Sequence, residues 1–105
     1  MSGSEFWTDG SGRLTFDVPT VSAADYPAVC RSLIEAFSLS QIGSLLIGPD
    51  LMFWDFRRDD QEIGLDWDIW MGFMVVSKTD TAEPLVREIA EWLHAMLLDK
   101  AAKRP

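Results

Sequence analysis

The chain is poor in the residues that most often carry chemistry, with one cysteine and one histidine among 105 residues. A single thiol excludes an internal disulfide framework and a metal site built from several thiolates. Cys30 falls within a helical apolar pattern, which predicts a small core side chain. His94 lies beside the apolar stripe of another predicted helix, which is typical of a surface histidine. The sequence gives no basis for a nucleophile–base pair between these two residues.

Basic residues are also scarce. Nine Lys and Arg stand against 17 Asp and Glu, and the formal net charge is −8. This balance disfavours nucleic-acid backbones and anionic membranes, but it suits a basic protein partner. No apolar run approaches the roughly 20 residues of a membrane-spanning helix. The first twelve residues lack the basic and apolar regions of a signal peptide, so we expect a cytoplasmic protein.

No catalytic motif compensates for these absences. The glycines match no phosphate-binding loop, no Gly-x-Ser-x-Gly occurs, and no calcium-binding loop is present. The carboxylates nonetheless cluster in the centre of the chain, and such a cluster suits a metal site, catalytic carboxylates, or a solvated rim around a binding surface. We favour the rim, and we expect no catalytic residue, cofactor or metal. The cluster comprises Asp55, Asp59, Asp60, Glu62, Asp66 and Asp68.

The stretch from Leu51 to Ser77 holds three of the five tryptophans and most of the strand-forming residues. A polar break at Arg58 to Gln61 predicts a β-hairpin with a four-residue loop. In the resulting register one face is wholly apolar, with Trp54 opposite Leu65. The other face is mixed and acidic, with Phe53 opposite Asp66.

The next segment, residues 70–77, does not alternate, and a near-continuous apolar run is typical of a strand covered on both faces. One register turns Met74 and Val76 towards the core and leaves Met71, Phe73 and Val75 on the outer face. A shift by one residue reverses that choice. Either register predicts large apolar groups on the outer face, beside Leu51 and Phe53.

The flanking segments complete the predicted fold. Residues 1–12 form a Gly/Ser-rich arm, and residues 13–105 form a single α+β domain with a strand over 13–18. A first helix begins after Asp25, a short strand covers 44–47, and a last helix has Thr81 as its N-cap. We expect an antiparallel β-meander of four or five strands with two helices packed on one face, in the order β-α-β-β-β-α.

Part of this order, helix–three strands–helix, is similar to that of double-stranded RNA-binding domains. Those domains carry basic residues at the start of the last helix, whereas residues 78–83 here hold one lysine and two acids. In size, charge and mixed topology the chain is also similar to small acidic secretion chaperones and toxin-immunity proteins. That likeness is at the level of the fold, and no motif carries it.

Two helices with one apolar stripe each cover only one face of such a sheet, and an exposed apolar face is typical of an interface. We therefore expect a non-enzymatic protein-binding domain, either a homodimer or the receptor of a basic partner. The expected contact residues are Leu51, Phe53, Asp55, Glu62, Asp66, Asp68, Met71 and Phe73. The alternatives are cover by the N-terminal arm, and a small-ligand protein or weak enzyme with a pocket lined by Trp54, Trp67 and Trp92.

Overall fold

The computed structural model describes residues 5–8 and 10–102, and it describes their side chains except those of residues 5 and 97–102. The elements in chain order are strands β1 (Glu5–Thr8) and β2 (Leu14–Val18), helix α1 (Tyr26–Phe37), strands β3 (Ser40–Ile47), β4 (Leu51–Arg58), β5 (Gln61–Asp68) and β6 (Gly72–Ser77), a short 3-10 helix (Asp80–Ala82), and helix α2 (Glu83–Ala102). The chain is therefore an α+β protein, as its sequence pattern predicts.

All six described strands form one antiparallel sheet in the order β1-β2-β6-β5-β4-β3. This exceeds the predicted four or five strands, because residues 5–8 of the predicted arm pair with β2 instead of standing apart from the domain. Phe6 lies opposite Phe16, and their ring centroids are 4.9 Å apart. The arm thus lengthens the sheet at its edge; residues 1–4 and 9, which also belong to it, lie outside the described residues.

The predicted register of the central hairpin is confirmed, with Phe53 opposite Asp66 and Trp54 opposite Leu65. The turn is tighter than the predicted four residues, because Arg58 and Gln61 also pair and only two residues connect the strands. One of them, Asp59, has a φ of 56°, a left-handed conformation that aspartate tolerates better than most residues.

Both helices lie against one face of the sheet, called here the inner face. The α1 residue Tyr26 packs 5.9 Å from the ring of Phe73, and its hydroxyl donates a hydrogen bond to the Leu65 carbonyl. The indole N–H of Trp67 donates to the Val21 carbonyl at 2.9 Å. The fully buried inner side chains include Phe56, Ile63, Leu65, Phe73 and Val75 from the sheet, with Leu33, Leu85, Val86 and Ile89 from the helices.

This inner face corrects the expected register of the last strand. Phe73 and Val75 point towards the helices and are fully buried, whereas Met74 and Val76 point to the outer face. The apolar run of this segment fits both registers, so its alternation could not decide between them. Packing decides, because Phe73 fills the space beside Tyr26.

The helix starts and the third strand follow the sequence signals in part. Asp25 is the N-cap of α1, as predicted, and its own backbone N–H donates to the Ser22 side chain at 3.2 Å. The predicted N-cap Thr81 lies instead within the 3-10 helix that precedes α2. The strand predicted over 44–47 is longer than expected and extends back to Ser40, with a register shift between Ile42 and Leu46.

Gly72 connects the β5–β6 turn to the sheet at a position that excludes other residues. Its φ is 76°, and a Cβ there would lie 2.7 Å from the Cα of Pro19. A left-handed conformation costs an L-residue roughly 1–2 kcal/mol, and the overlap adds to that cost.

Replacement of Gly72 by alanine is expected to lower the free energy of unfolding by about 3 kcal/mol, measured by urea denaturation. Gly43 is the matched control, since its φ is 71° but a Cβ there meets nothing within 4 Å. Gly43→Ala should cost only the conformational part, about 1 kcal/mol. Equal losses in the two variants would show that the contact with Pro19 is unimportant.

Candidate functional site

The outer face of the central hairpin carries a small notch at Gly64. A Cβ built on Gly64 would lie 2.8 Å from Cε of Lys78, 3.0 Å from Oδ1 of Asp66 and 3.2 Å from Oδ1 of Asp55. The strand pairing explains this convergence, because Asp55 lies opposite Gly64 and Asp66 is two residues further along the same face. Because Gly64 has no side chain, these groups approach its backbone closely and leave no room for a Cβ, and we call this arrangement the Gly64 notch.

Asp66 is the most unusual group in the notch. It is 5% exposed, and its buried Oδ1 atom has no hydrogen-bond partner among the residues that the structure describes. Burial raises the pKa of this carboxyl from 3.8 to about 6, and the negative charges of Asp55 and Asp68 add to the effect. Lys78 and the backbone amide of Trp54 act in the opposite direction. A buried carboxylate with an unsatisfied oxygen lowers the stability of the fold. Groups of this kind cluster at functional sites, which makes Asp66 a candidate functional residue.

Lys78 crosses the notch but does not satisfy Asp66. Its backbone N–H bonds to the Glu62 carbonyl at 2.8 Å, which continues the β5–β6 pairing by one residue and directs the side chain to the outer face. The ammonium lies 3.9 Å from Asp55, and both side chains are about half exposed. The lysine atom nearest to the Cβ position of Gly64 is Cε, and not the ammonium nitrogen.

A second feature of the surface is a group of exposed apolar side chains at one end of the sheet. Leu46 is 62% exposed, Ile47 72% and Trp70 83%. Leu46 lies opposite Phe53, and the Ile69 amide bonds to the Asp50 carbonyl, so this end of β3, β4 and the β5–β6 turn forms one region. The region, called here the end patch, comprises Leu46, Ile47, Leu51, Phe53, Ile69 and Trp70.

The end patch differs from the broad apolar face that the sequence predicts. The middle of the outer face is largely polar and closely packed, with Thr15, Asp66 and Met74 buried there. The two largest expected groups of the last strand, Phe73 and Val75, are on the inner face instead. Exposed apolar surface is therefore confined to the sheet end and its edges.

The eight expected contact residues divide into three groups. Leu51, Phe53 and Asp55 lie on the outer face with exposed or half-exposed side chains, and half-buried Glu62 lies on the same face. Asp66 is on that face but buried, so it is not part of a solvated rim. Of the remaining three, Asp68 and Met71 lie at the β5–β6 turn and Phe73 lies in the core.

The carboxylate of Asp68 accepts hydrogen bonds from the backbone amides of Trp70 and Met71, at 2.9 and 2.6 Å. This fixes the β5–β6 turn, and Met71 is half-buried within it. Phe73 is wholly buried beneath α1, so its expected role as an outer contact is wrong.

The geometry gives little support to the alternative of a pocket lined by tryptophans. The inner face between Trp54 and Trp67 is filled by large buried side chains, and Trp92 packs against Phe37 with ring centroids 6.1 Å apart. A cavity of about 260 Å³ does exist elsewhere, where Leu14, Ser77, Thr79 and Glu83 lie close to the start of α2. The perturbed carboxylate Asp66 lies on the opposite face of the sheet from the helices.

Within the part of the chain that the structure describes, no group of three or more His, Cys, Asp or Glu side chains is placed to hold a metal ion. Cys30 is buried in α1, and burial raises the pKa of its thiol to about 12. His94 is exposed on α2. Among the described helices, none is long and apolar enough to cross a membrane.

No protein-family model matches the chain, and no curated protein or solved structure matches it significantly.

Sequence reasoning missed Lys78, Gly64 and the exposed leucine and isoleucine of β3. Lys78 could have been found by continuing the correct alternation of β6, from Met74 and Val76, one step past the strand. Leu46 and Ile47 belong to an apolar run that reads equally well as a buried strand. Their exposure depends on β3 lying at the edge of the sheet.

The buried carboxylate makes stability depend on pH. Because the folded pKa of Asp66 is raised, the folded state binds a proton more tightly than the unfolded chain. The contribution of Asp66 to stability is therefore greatest below the unfolded pKa of 3.8 and is lost as the pH rises through about 6. At roughly 1.4 kcal/mol per pKa unit, ionisation costs on the order of 3 kcal/mol above that range.

Asp66→Asn should stabilise the protein by about 2–3 kcal/mol at pH 8 and by little at pH 4, measured by urea denaturation at both values. Asp59→Asn is the matched control, because Asp59 is exposed in the turn of the same hairpin. If Asp66→Asn changes stability equally at both pH values, or destabilises at pH 8, burial does not oppose the ionisation of Asp66 in the folded protein.

Proposed function

We infer that the protein is a non-enzymatic protein-binding domain whose contact surface is the end patch. The observation that carries this proposal is the exposure of six large apolar side chains at one end of the sheet. Scattered apolar residues are normal on a protein surface, but a contiguous group is typical of an interface. Trp70 is the outstanding member, since tryptophan is enriched among the residues that dominate binding energy.

The edge strand β3 favours a second copy of the chain as the occupant. It pairs with β4 on one side only, which leaves backbone N–H and C=O groups of its other side available for another strand. Exposed edges are commonly protected by charged residues or proline, yet Ser40–Ile47 contains neither.

Net charge opposes self-association in general, but the uncharged strand β3 is compatible with the same occupant. Each copy carries a formal net charge of −8, so two copies repel one another over most of their surface. Pairing of β3 with β3 of a second copy brings together two uncharged strands and avoids this repulsion locally. The exposed Leu46 and Ile47 side chains then become buried between the copies, each contributing about 1.5–3 kcal/mol if fully covered.

Leu46 and Leu45 provide a matched test, because they are neighbours on β3 with opposite surroundings. Leu46 is exposed, whereas Leu45 packs against the core. Leu46→Asp should leave folding intact and abolish self-association, measured by sedimentation over a wide range of concentrations. Leu45→Asp should instead lower the free energy of unfolding by about 2–4 kcal/mol, because it brings a charge to the core boundary.

A wild-type protein that stays monomeric at every concentration would remove self-association through β3. A dimer that persists unchanged in Leu46→Asp would place the interface elsewhere.

A further inference from the structure

The Gly64 notch has no part in pairing through β3, because it lies in the middle of the outer face and not at the sheet edge. We propose that the notch is a receptor for an arginine side chain, carried by a basic segment of a partner protein, and that Lys78 occupies the site until that side chain displaces it.

The unsatisfied oxygen of Asp66 is the first reason. A buried carboxylate ordinarily obtains hydrogen bonds or a charge partner. Within the described part of the chain, Oδ1 of Asp66 has no donor, and it is shielded from solvent. Oδ1 of Asp55 is held within 3.2 Å of the same point above Gly64. A donor entering the notch therefore meets two carboxylate oxygens from two strands.

The shape of this pair selects a guanidinium. Arginine presents five N–H donors in a planar fork, so one side chain donates to both aspartates at once. An ammonium is a compact point charge, and the internal lysine shows its limitation, since Lys78 lies 3.9 Å from Asp55 and leaves Oδ1 of Asp66 without a donor. The carboxylate of Asp66 is itself poorly solvated, and a charge-assisted hydrogen bond is strong in such a place.

Lys78 is suited to act as a displaceable occupant. Its side chain is 40% exposed and follows the last strand, and it makes no hydrogen bond to either aspartate that would anchor it. Rotation about its flexible stem moves Cε away from Gly64 without any change in the backbone. Until then its charge offsets part of the repulsion between Asp55 and Asp66, in agreement with its effect on the pKa of Asp66.

The surroundings of the notch favour a segment of a protein over a free small cation. Phe53 lies opposite Asp66 on the same face and is also a member of the end patch. An arginine seated at Gly64 thus has an apolar surface beside it for neighbouring residues of its own chain. The net charge of −8 attracts a basic segment and speeds its association.

The test uses tetra-arginine amide as the probe, titrated at pH 8 so that Asp66 is ionised. Affinity is measured by calorimetry, and the site is located by NMR shifts of the Asp55 and Asp66 carboxyl carbons and the Met74 methyl group. Asp66→Asn should weaken binding about tenfold or more, because it removes a charge-assisted contact. Lys78→Gln should tighten binding several-fold, because it removes the internal competitor.

Asp59→Asn is again the control, since it removes one negative charge from the turn of the same hairpin and leaves the notch intact. It should change affinity less than twofold. Tetra-lysine amide should bind more weakly than tetra-arginine amide, and argininamide at the same arginine concentration more weakly still.

Equal binding by the Asp66→Asn and Asp59→Asn variants would overturn the proposal. It would show that the peptide is attracted by the net negative charge of the protein and makes no specific contact with Asp66. Failure of Lys78→Gln to tighten binding would overturn it as well, and argininamide that binds as tightly as the peptide would exclude a protein segment as the occupant. None of these variants alters β3, so all of them should self-associate like the parent, and the two proposals fail or succeed separately.

Discussion

The pairing register of β4 with β5 is the constraint on which the rest of the structure depends. Because side chains alternate between the faces of a strand, this register sends Trp54, Phe56, Ile63 and Leu65 to the helices together. The same alternation sends Phe53, Asp55, Gly64 and Asp66 to the outer face. A slip by one residue would expose the apolar set and bury the acids against α1 and α2.

The two helices then determine where apolar surface remains. They lie on the inner face, and the edge strands of the described sheet are β1 and β3. Side chains at the centre of the outer face shield one another, whereas those at the end of β3 and β4 stay in contact with water. Leu46 and Phe53 of the end patch share the outer face with the Gly64 notch, whereas Ile47 pairs with Met52 and lies on the inner side at the open edge of the sheet.

The hairpin, the first helix and the α+β class could be predicted from sequence because their signals are local. Alternation fixes the hairpin register, and Pro27 restricts the start of the helix to the residue after Asp25. The direction of Phe73 could not be predicted, because the run from Trp70 to Val76 is apolar in both registers. That choice depends on the ring of Tyr26, which is distant in sequence. The pairing of Glu5–Thr8 with β2 could not be predicted either, because a segment of four residues is too short to show a clear strand pattern.

The candidate site was predictable only in outline. Acidic residues on the outer strand face follow from alternation, but the close approach of Lys78, the residue after β6, to Gly64 of β5 depends on how the two strands pair. The most direct measurement is the pKa of Asp66 from an NMR titration of its carboxyl carbon. A value of about 6 is expected, rising further in Lys78→Gln, because the lysine lowers it in the intact protein. A value near 4 that is insensitive to Lys78 would contradict the account, since Asp66 would then be solvated and the notch would not exist.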